Sequence, residues 1–214
     1  MTRTLKERTF SGTTNPEIQP WETEHRKLAR RAAAEGIVLL KNEEQVLPLK
    51  AGSAVALYGA GAGKTIKGGT GSGDVNEREK VSICQGMKNA GFQVTTEEWI
   101  DSYDKIYDQA RQDWKNDILS RTGEGADTMD FFSVYSTTPF IMPAGDPIQK
   151  PAEGANTDTA IYVLSRIAGE GADRIADKGD YYLKDEEYEM LANICALSSG
   201  NVISTTALFL SRQR

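Results

Sequence analysis

The segment "LYGAGAGKTIKGGTGSGDVN", from Leu57 to Asn76, carries the strongest fold signal in the chain. Glycines recur through it, and the apolar run "SAVALYG" (residues 53–59) leads into it. A short apolar run that ends at glycine is typical of a buried β-strand. The segment therefore predicts a strand followed by a glycine-rich loop, and such loops often bind a phosphate group.

The glycine spacing fits neither common phosphate-binding motif. A P-loop needs a glycine, four residues and then Gly-Lys-Ser/Thr. Gly63, Lys64 and Thr65 supply its second half, but Tyr58 stands where the first glycine belongs. In the dinucleotide-binding pattern that begins at Gly59, the third glycine falls on Lys64. Nucleotide binding is therefore an alternative that the sequence favours only weakly.

Two interpretations of "KGGTGSGD" (residues 67–74) stay open. Lys67, Thr70, Ser72 and Asp74 stand between glycines and carry hydrogen-bonding groups that suit sugar hydroxyls. Glycine also lets another group approach the backbone closely. A flexible turn with solvated polar tips explains the same composition, and composition alone favours that simpler interpretation.

The rest of the chain alternates between helical and strand patterns. Helices are predicted from Glu24 ("EHRKLARRAAAEGIVLLKNE"), over residues 78–91, from Glu97 and over 184–200, and further strands over 92–97, over 159–166 and from residue 201. This order predicts an α/β fold, a three-layer sandwich in which a mostly parallel sheet has helices on both faces. Residues 1–23 form a polar N-terminal arm in this interpretation, and residues 24–214 form the sandwich domain.

Two loops are expected at the carboxyl ends of strands, where ligands of such sheets bind. One is the glycine segment. The other is "AGEGADR" (residues 168–174), which places Glu170 between two glycines just after a buried strand. Acid/base chemistry needs a carboxyl group near a cleft, but an isolated loop glutamate is more often solvated, with Arg166 and Arg174 in ordinary ion pairs.

The stretch from Gly123 to Thr159 is too long for a simple connection and contains four of the seven prolines. A functional loop, a disordered insert and an overlooked strand near "FFSVY" (residues 131–135) all remain possible.

Composition excludes several classes of function. The net charge of −6 and the pI near 5.0 argue against nucleic acid as a partner. No apolar run reaches the roughly 20 residues that span a bilayer, and the N-terminus has no apolar signal core, so we expect a cytoplasmic protein without membrane contact. Cys84 and Cys195 are predicted to be reduced thiols. His25 is the only histidine, which argues against a zinc site or a Ser-His-Asp triad.

Three motifs together resemble glycoside hydrolase family 3: "AAAEGIVLLKNEEQVLPLK", "GAGAGKTIKGGTGSGDVN" and "VLSRIAGEGADR…KGDYYL". They occur in matching order between about Glu24 and Ile203 and resemble the α/β-sandwich domain of that family. The family includes β-glucosidases and related exo-acting enzymes. The resemblance implies a β-linked glucoside or oligosaccharide as substrate, and neither a metal ion nor an organic cofactor.

The resemblance also implies roles for individual residues. Family 3 enzymes are retaining glycosidases with an aspartate nucleophile on a TIM-like barrel domain and a glutamate acid/base on the sandwich domain. Glu170 matches the glutamate, and Glu153 is the reserve candidate. Arg174 is expected to order the loop. Substrate contacts are expected from the glycine loop, namely from Lys67, Gly68, Gly69, Thr70 and Asp74, with Lys67 and Asp74 foremost.

Two departures from the family pattern bear on function. The 214 residues match no barrel domain, and only a short arm precedes the sandwich domain, an order that resembles the family subgroup with the sandwich domain first. The ending "STTALFLSRQR" also differs from the final elements expected for the family. We therefore expect an incomplete sheet, self-association through its uncovered edge, and no activity without a barrel domain. A sugar-binding or vestigial domain without catalysis is the main alternative, and a nucleotide-binding protein is the weaker one.

Overall fold

The computed structural model describes residues 17–42, 45–69, 79–123, 125, 127–148, 157, 159–167 and 175–196. The chain divides into two compact units, residues 1–45 and residues 46–214. In the described part of the chain the helices are α1 (Pro20–Gly36), α2 (Ile83–Asn89), α3 (Glu97–Thr122), α4 (Thr128–Thr137) and α5 (Asp185–Ala196).

Helix α1 lies in the first unit and corrects the predicted helix at both ends. It begins at Pro20 rather than Glu24, because Gln19 and Glu22 form a reciprocal capping box and proline is favoured in the first turn. It ends at Gly36 rather than continuing to residue 43, and the next residue, Ile37, is extended. The division into a 1–23 arm and a 24–214 domain stays a prediction.

A parallel sheet organises the second unit. Its described strands are β1 (Ala54–Tyr58), β2 (Gln93–Val94) and β3 (Ala160–Tyr162), in the order β2–β1–β3. Both neighbours run parallel to β1, so the predicted parallel sheet is confirmed. The last predicted strand, from residue 201, lies outside the described residues.

The sheet is covered on both faces. Val55 and Leu57 pack on one face against Cys84 of α2 and Ile100 of α3. The intervening residues of β1 point to the opposite face, where the core contains Met190 and Ile194 of α5. This period-2 division of a continuous apolar strand is characteristic of a sheet buried between two helical layers, and it confirms the predicted three-layer arrangement.

The segment after β2 continues the contact with β1 through a side chain. The Thr96 hydroxyl accepts a hydrogen bond from the Leu57 amide at 2.8 Å and donates one to the Leu57 carbonyl at 2.7 Å. Thr96 is only 9% exposed, so both backbone groups of Leu57 would lack water as a substitute partner. One hydroxyl thus satisfies the backbone of the central strand where β2 has ended.

The long connection contains helix α4, and the proposed extra strand near "FFSVY" is wrong. Asp127 caps this helix by accepting hydrogen bonds from the amides of Met129 and Asp130 at 2.8 and 2.9 Å. The Asp130 carboxylate accepts one in return from the Asp127 amide at 3.2 Å. This reciprocal capping box decides in favour of a helix over the β-propensity of the aromatic and β-branched residues.

The connection then packs along α3. The Trp114 indole donates a hydrogen bond to the Thr138 carbonyl at 2.7 Å, and the Tyr103 hydroxyl donates one to the Pro143 carbonyl at 3.0 Å. The Trp99 indole donates to the Asp146 carbonyl at 3.1 Å. These bonds hold residues 138–146 in place although they form neither helix nor strand.

Candidate functional site

The chain segments that directly follow β1 and β3 lie side by side at the carboxyl edge of the sheet. Because β1 and β3 are parallel neighbours, residues 59–69 and residues 163–167 leave the sheet on the same side. The Gly61 amide donates a hydrogen bond to the Val163 carbonyl at 3.3 Å. The glycine loop therefore begins in direct contact with the chain that leads towards residues 168–174, which themselves lie outside the described residues.

Gly59 and Gly61, the first two glycines after β1, allow this close contact. Gly59 has φ +94°, and a Cβ atom there would lie 2.4 Å from the Val163 carbonyl oxygen. A Cβ atom on Gly61 would lie 2.3 Å from the Ser165 Oγ. No side chain fits at such distances without movement of the neighbouring chain. The glycine run after β1 thus has a packing explanation.

The residues that resembled a P-loop already have protein partners. Lys64 forms an ion pair with Asp108 at 2.8 Å, and its ammonium lies 5.4 Å from the centre of the Tyr107 ring. The Thr65 hydroxyl donates a hydrogen bond to the Gly61 carbonyl at 2.6 Å and accepts one from the Ile83 amide at 2.8 Å. These contacts tie the loop to α3 and α2, so they give a structural reason for both residues without a nucleotide.

Some of the predicted sugar contacts lie within the described residues. Lys67 is exposed, Gly68 is half-buried and Gly69 is buried. Thr70 and Asp74 lie outside the described residues. The assignment of this loop to substrate stays a prediction.

The predicted catalytic residue also lies outside the described residues. Glu170, the reserve candidate Glu153 and the predicted ordering residue Arg174 all belong to this group. The two flanks of the Glu170 segment are described, residues 163–167 before it and residues 175–182 after it. The geometry of these flanks is therefore what the structure contributes to the site.

Arg166 is the main polar residue of these flanks. Its guanidinium forms a bidentate ion pair with Glu187 of α5, with distances of 2.7 Å from Nη1 to Oε1 and 2.6 Å from Nη2 to Oε2. The side chains of Arg166 and Glu187 are only 9% and 5% exposed. Bidentate geometry and burial make this a strong, geometrically specific contact rather than the ordinary ion pair expected from the sequence.

Arg166 also binds backbone carbonyls on both sides of the Glu170 segment. Its guanidinium donates to the Ser165 and Asp180 carbonyls, both at 2.9 Å. The Asp180 carboxylate in turn accepts a hydrogen bond from the Ile175 amide at 2.7 Å. Sequence reasoning missed this contact: an arginine at the end of the predicted strand 159–166 and an acidic helix start in "KDEEYE" are local features, and neither specifies the other as its partner.

Burial changes the ionisation of several groups near the sheet. It raises the pKa of the Cys84 thiol, which is buried and unoxidised, in agreement with the predicted reduced thiol. Burial also raises the pKa of the Tyr162 phenol, to which the negative charge of Glu187 adds. Both groups are therefore neutral at physiological pH and unsuited to act as nucleophiles. The side chain of Cys195 lies outside the described residues.

Asp104 carries an unsatisfied oxygen beside the glycine loop. Its Oδ1 atom is buried and, among the described residues, accepts no hydrogen bond. It lies 2.5 Å from the position that a Cβ atom on Gly63 would have, and burial raises the pKa of its carboxyl group. A buried carboxylate oxygen that lacks a hydrogen bond normally costs stability.

Neither a metal-binding cluster nor a membrane-spanning helix occurs among the described residues. They contain no group of three or more His, Cys, Asp or Glu side chains placed to bind a metal ion. No described helix combines the length and the apolar character that membrane crossing requires.

Comparison with known proteins establishes the family. Residues 37–208 match the sequence model of the glycosyl hydrolase family 3 C-terminal domain, which is more than half of the chain. The chain therefore belongs to glycoside hydrolase family 3, of which it contains this α/β domain.

Individual relatives support this assignment. The chain is 30% identical over 221 residues to β-glucosidase A from Butyrivibrio fibrisolvens, a match that covers 85% of the chain and 23% of that protein. It is 46% identical over 67 residues to thermostable β-glucosidase B from Acetivibrio thermocellus, with 31% of the chain and 9% of that protein covered.

A solved structure gives the same result. β-Glucosidase 3B from Thermotoga neapolitana, in complex with glucose, superposes with a TM-score of 0.62 and 32% identity over 89% of this chain and 24% of that protein. The chain thus spans less than a quarter of the length of this enzyme and of the Butyrivibrio enzyme.

Proposed function

We propose that this chain is the acid/base-bearing domain of a retaining β-glucosidase. The family match and the names of the relatives support β-glucoside hydrolysis as the reaction. The glucose in the Thermotoga structure supports a glucoside as the substrate class. Retaining hydrolysis needs two carboxyl groups, and we assign the second, the aspartate nucleophile, to a barrel domain. We therefore expect activity to require a barrel domain in addition to the matched domain.

In this proposal Glu170 acts first as an acid and then as a base. It donates its proton to the glycosidic oxygen as the bond to the anomeric carbon breaks and the aspartate of the barrel attacks that carbon. It then removes a proton from the water that releases the sugar from the aspartate. This exchange of roles is the general scheme of retaining glycosidases, in which the two carboxyl groups lie ~5–5.5 Å apart.

The observation that carries the proposal is the contact, at the carboxyl edge of the sheet, between the glycine loop and the chain that leads towards Glu170. Ser165, five residues before Glu170 in the sequence, lies against the glycine loop at Gly61. A carboxyl group and a polar, glycine-rich loop that start from one sheet edge are suited to a shared cleft. We assign sugar contacts in this cleft to Lys67, Asp74 and their neighbours Gly68, Gly69 and Thr70, and loop ordering to Arg174.

The proposal is tested by hydrolysis of an aryl β-glucoside. The samples are the 214-residue polypeptide alone, its mixture with a separately produced family 3 barrel domain, and the same mixture with Glu170→Gln or Glu153→Gln. We expect activity only in the mixture, lost with Glu170→Gln and kept with Glu153→Gln. Loss with Glu153→Gln alone would transfer the role to Glu153.

The non-catalytic alternative is separated by the same samples. If every mixture is inactive while the polypeptide alone binds glucose in a calorimetric titration, the domain is a sugar-binding module. Hydrolysis by the polypeptide alone that depends on Glu170 would contradict the need for a barrel domain.

A further inference from the structure

Arg166 lies where the two flanks of the Glu170 segment meet helix α5. Its guanidinium has five N–H donors. Each has an acceptor: Nε donates to the Asp180 carbonyl, Nη1 to the Ser165 carbonyl and Glu187, and Nη2 to Glu187 and the Tyr182 carbonyl, the last at 3.4 Å. One side chain thus joins the chain before residue 168, the chain after residue 174 and a helix of the core.

The partners of Arg166 are themselves fixed. Glu187 also accepts a hydrogen bond from the Lys184 amide at 2.9 Å, which holds its carboxylate at the first turn of α5. The Asp180 side chain accepts from the Ile175 amide at 2.7 Å. The segments that the guanidinium connects are therefore themselves held in place by further hydrogen bonds.

Burial of this ion pair is not explained by stability alone. Removing a guanidinium and a carboxylate from water is costly, and apolar residues of similar volume often stabilise a protein as well or better. A planar, five-donor group provides geometric specificity that neither an apolar residue nor lysine reproduces. The arrangement is suited to fixing the geometry of the segment between its two anchored flanks.

We infer that Arg166 is a positioning residue: it anchors both flanks of residues 168–174 and thereby holds the Glu170 carboxyl group where proton transfer takes place. The inference rests on the proposed function. All five N–H donors of Arg166 are directed at described protein acceptors, so the proposed role is one of positioning. Arg166 acts through the backbone at Ser165 and Asp180 and through Glu187.

The first test is hydrogen exchange in the full 214-residue polypeptide, which needs no activity. Arg166→Lys keeps the positive charge but loses the fork of donors, so amides of residues 167–182 are expected to exchange about tenfold faster, with those of α3 unchanged. Lys178→Met is the matched control, because Lys178 forms an exposed ion pair with Asp185 in the same region. Unchanged exchange in Arg166→Lys would overturn the anchor.

The second test separates positioning from general damage. A general acid matters most when the leaving group is a poor one, because a stabilised leaving anion departs without a proton. In the mixture with the barrel domain, Arg166→Lys is expected to slow hydrolysis of cellobiose about 100-fold and of dinitrophenyl β-glucoside much less. Arg166→Met, which removes the charge and every donor, is expected to show the same dependence on the substrate with a larger loss.

The outcomes distinguish the two proposals. Equal loss on both substrates, or loss on neither, would refute positioning of Glu170. An inactive unmutated mixture would refute the proposed function and the positioning role with it, while faster exchange in residues 167–182 would still establish the anchor.

Discussion

At the scale of single residues, Gly59 has two separate reasons to be glycine. Its φ of +94° is costly for other residues, and a Cβ atom would meet the Val163 backbone at 2.4 to 2.9 Å. Gly52 shares the positive φ, at +80°, but has nothing within 4 Å of its Cβ position. A comparison of Gly59 with Gly52 therefore separates the cost of backbone strain from the cost of a steric clash.

Gly59→Ala is expected to destabilise the domain by about 3 kcal/mol or more, since strain of about 1 kcal/mol adds to a steric clash. Gly52→Ala carries only the strain and is expected to cost about 1 kcal/mol. Urea denaturation followed by circular dichroism measures both. Equal losses in the two variants would show that the contact with Val163 is unimportant.

Asp104 predicts a pH-dependent stability. In the folded state, burial raises the pKa of its carboxyl group above the ordinary value of 3.8. The unfolded chain therefore loses this proton first as the pH rises. The contribution of Asp104 to the free energy of unfolding therefore falls as the pH rises from the pKa of the unfolded state through the pKa of the folded state. At neutral pH this contribution stays unfavourable. Asp104→Asn is expected to melt at a higher temperature than the unmutated domain at pH 7, with a smaller difference near pH 3.5.

Thermal melts across this pH range check the Asp104 prediction. Asp101→Asn is the control, because Asp101 is an exposed carboxylate on the same helix. A lower melting temperature for Asp104→Asn at pH 7, or a difference that does not change with pH, would contradict the argument.

At the scale of elements, the Thr96 hydroxyl makes the two hydrogen bonds to Leu57 that a longer strand β2 would otherwise make. Thr96→Val keeps the shape but leaves the amide and carbonyl of Leu57 without their partner, at a cost of about 1–3 kcal/mol. Thr122→Val is the control, since the Thr122 hydroxyl donates only to the helical Ile118 carbonyl and its loss is expected to cost less. Chemical denaturation compares the two, and equal losses would contradict the role of Thr96.

The sequence predicted the elements whose signals are local. The apolar run of β1 and the stop of α2 at Gly91, which has φ +88°, follow directly from residue type. Helix α4 was missed because aromatic and β-branched residues obscured the cap at Asp127. The Arg166–Glu187 pair joins residues 21 positions apart, and no local pattern specifies such a contact.

The candidate site was predictable only in part, for the same physical reason. Parallel strand order places the loops after β1 and β3 at one sheet edge, and this follows from the alternation of strands and helices. From the sequence, Gly59 and Gly61 bear only on phosphate-motif spacing, which they do not satisfy. The structure shows that they accommodate Val163 and Ser165, neighbours more than 100 positions away. The role of Glu170 came from family resemblance rather than from local chemistry.

At the scale of the whole molecule, self-association stays a prediction made from the sequence. An edge of β3 that is unpaired in the whole polypeptide would be a template for another chain. The 214-residue polypeptide is expected to form concentration-dependent oligomers in sedimentation velocity experiments. A compact monomer at all concentrations would refute this expectation.

The most direct test of the account is chemical rescue of the acid/base residue. Glu170→Ala is mixed with the barrel domain, dinitrophenyl β-glucoside and azide. Without its base the glycosyl-enzyme reacts slowly with water, and azide, which needs no deprotonation, attacks the anomeric carbon and displaces the aspartate. We expect azide to speed turnover and to give β-glucosyl azide as the product. No acceleration by azide, or rescue only in Glu153→Ala, would contradict the assignment of Glu170.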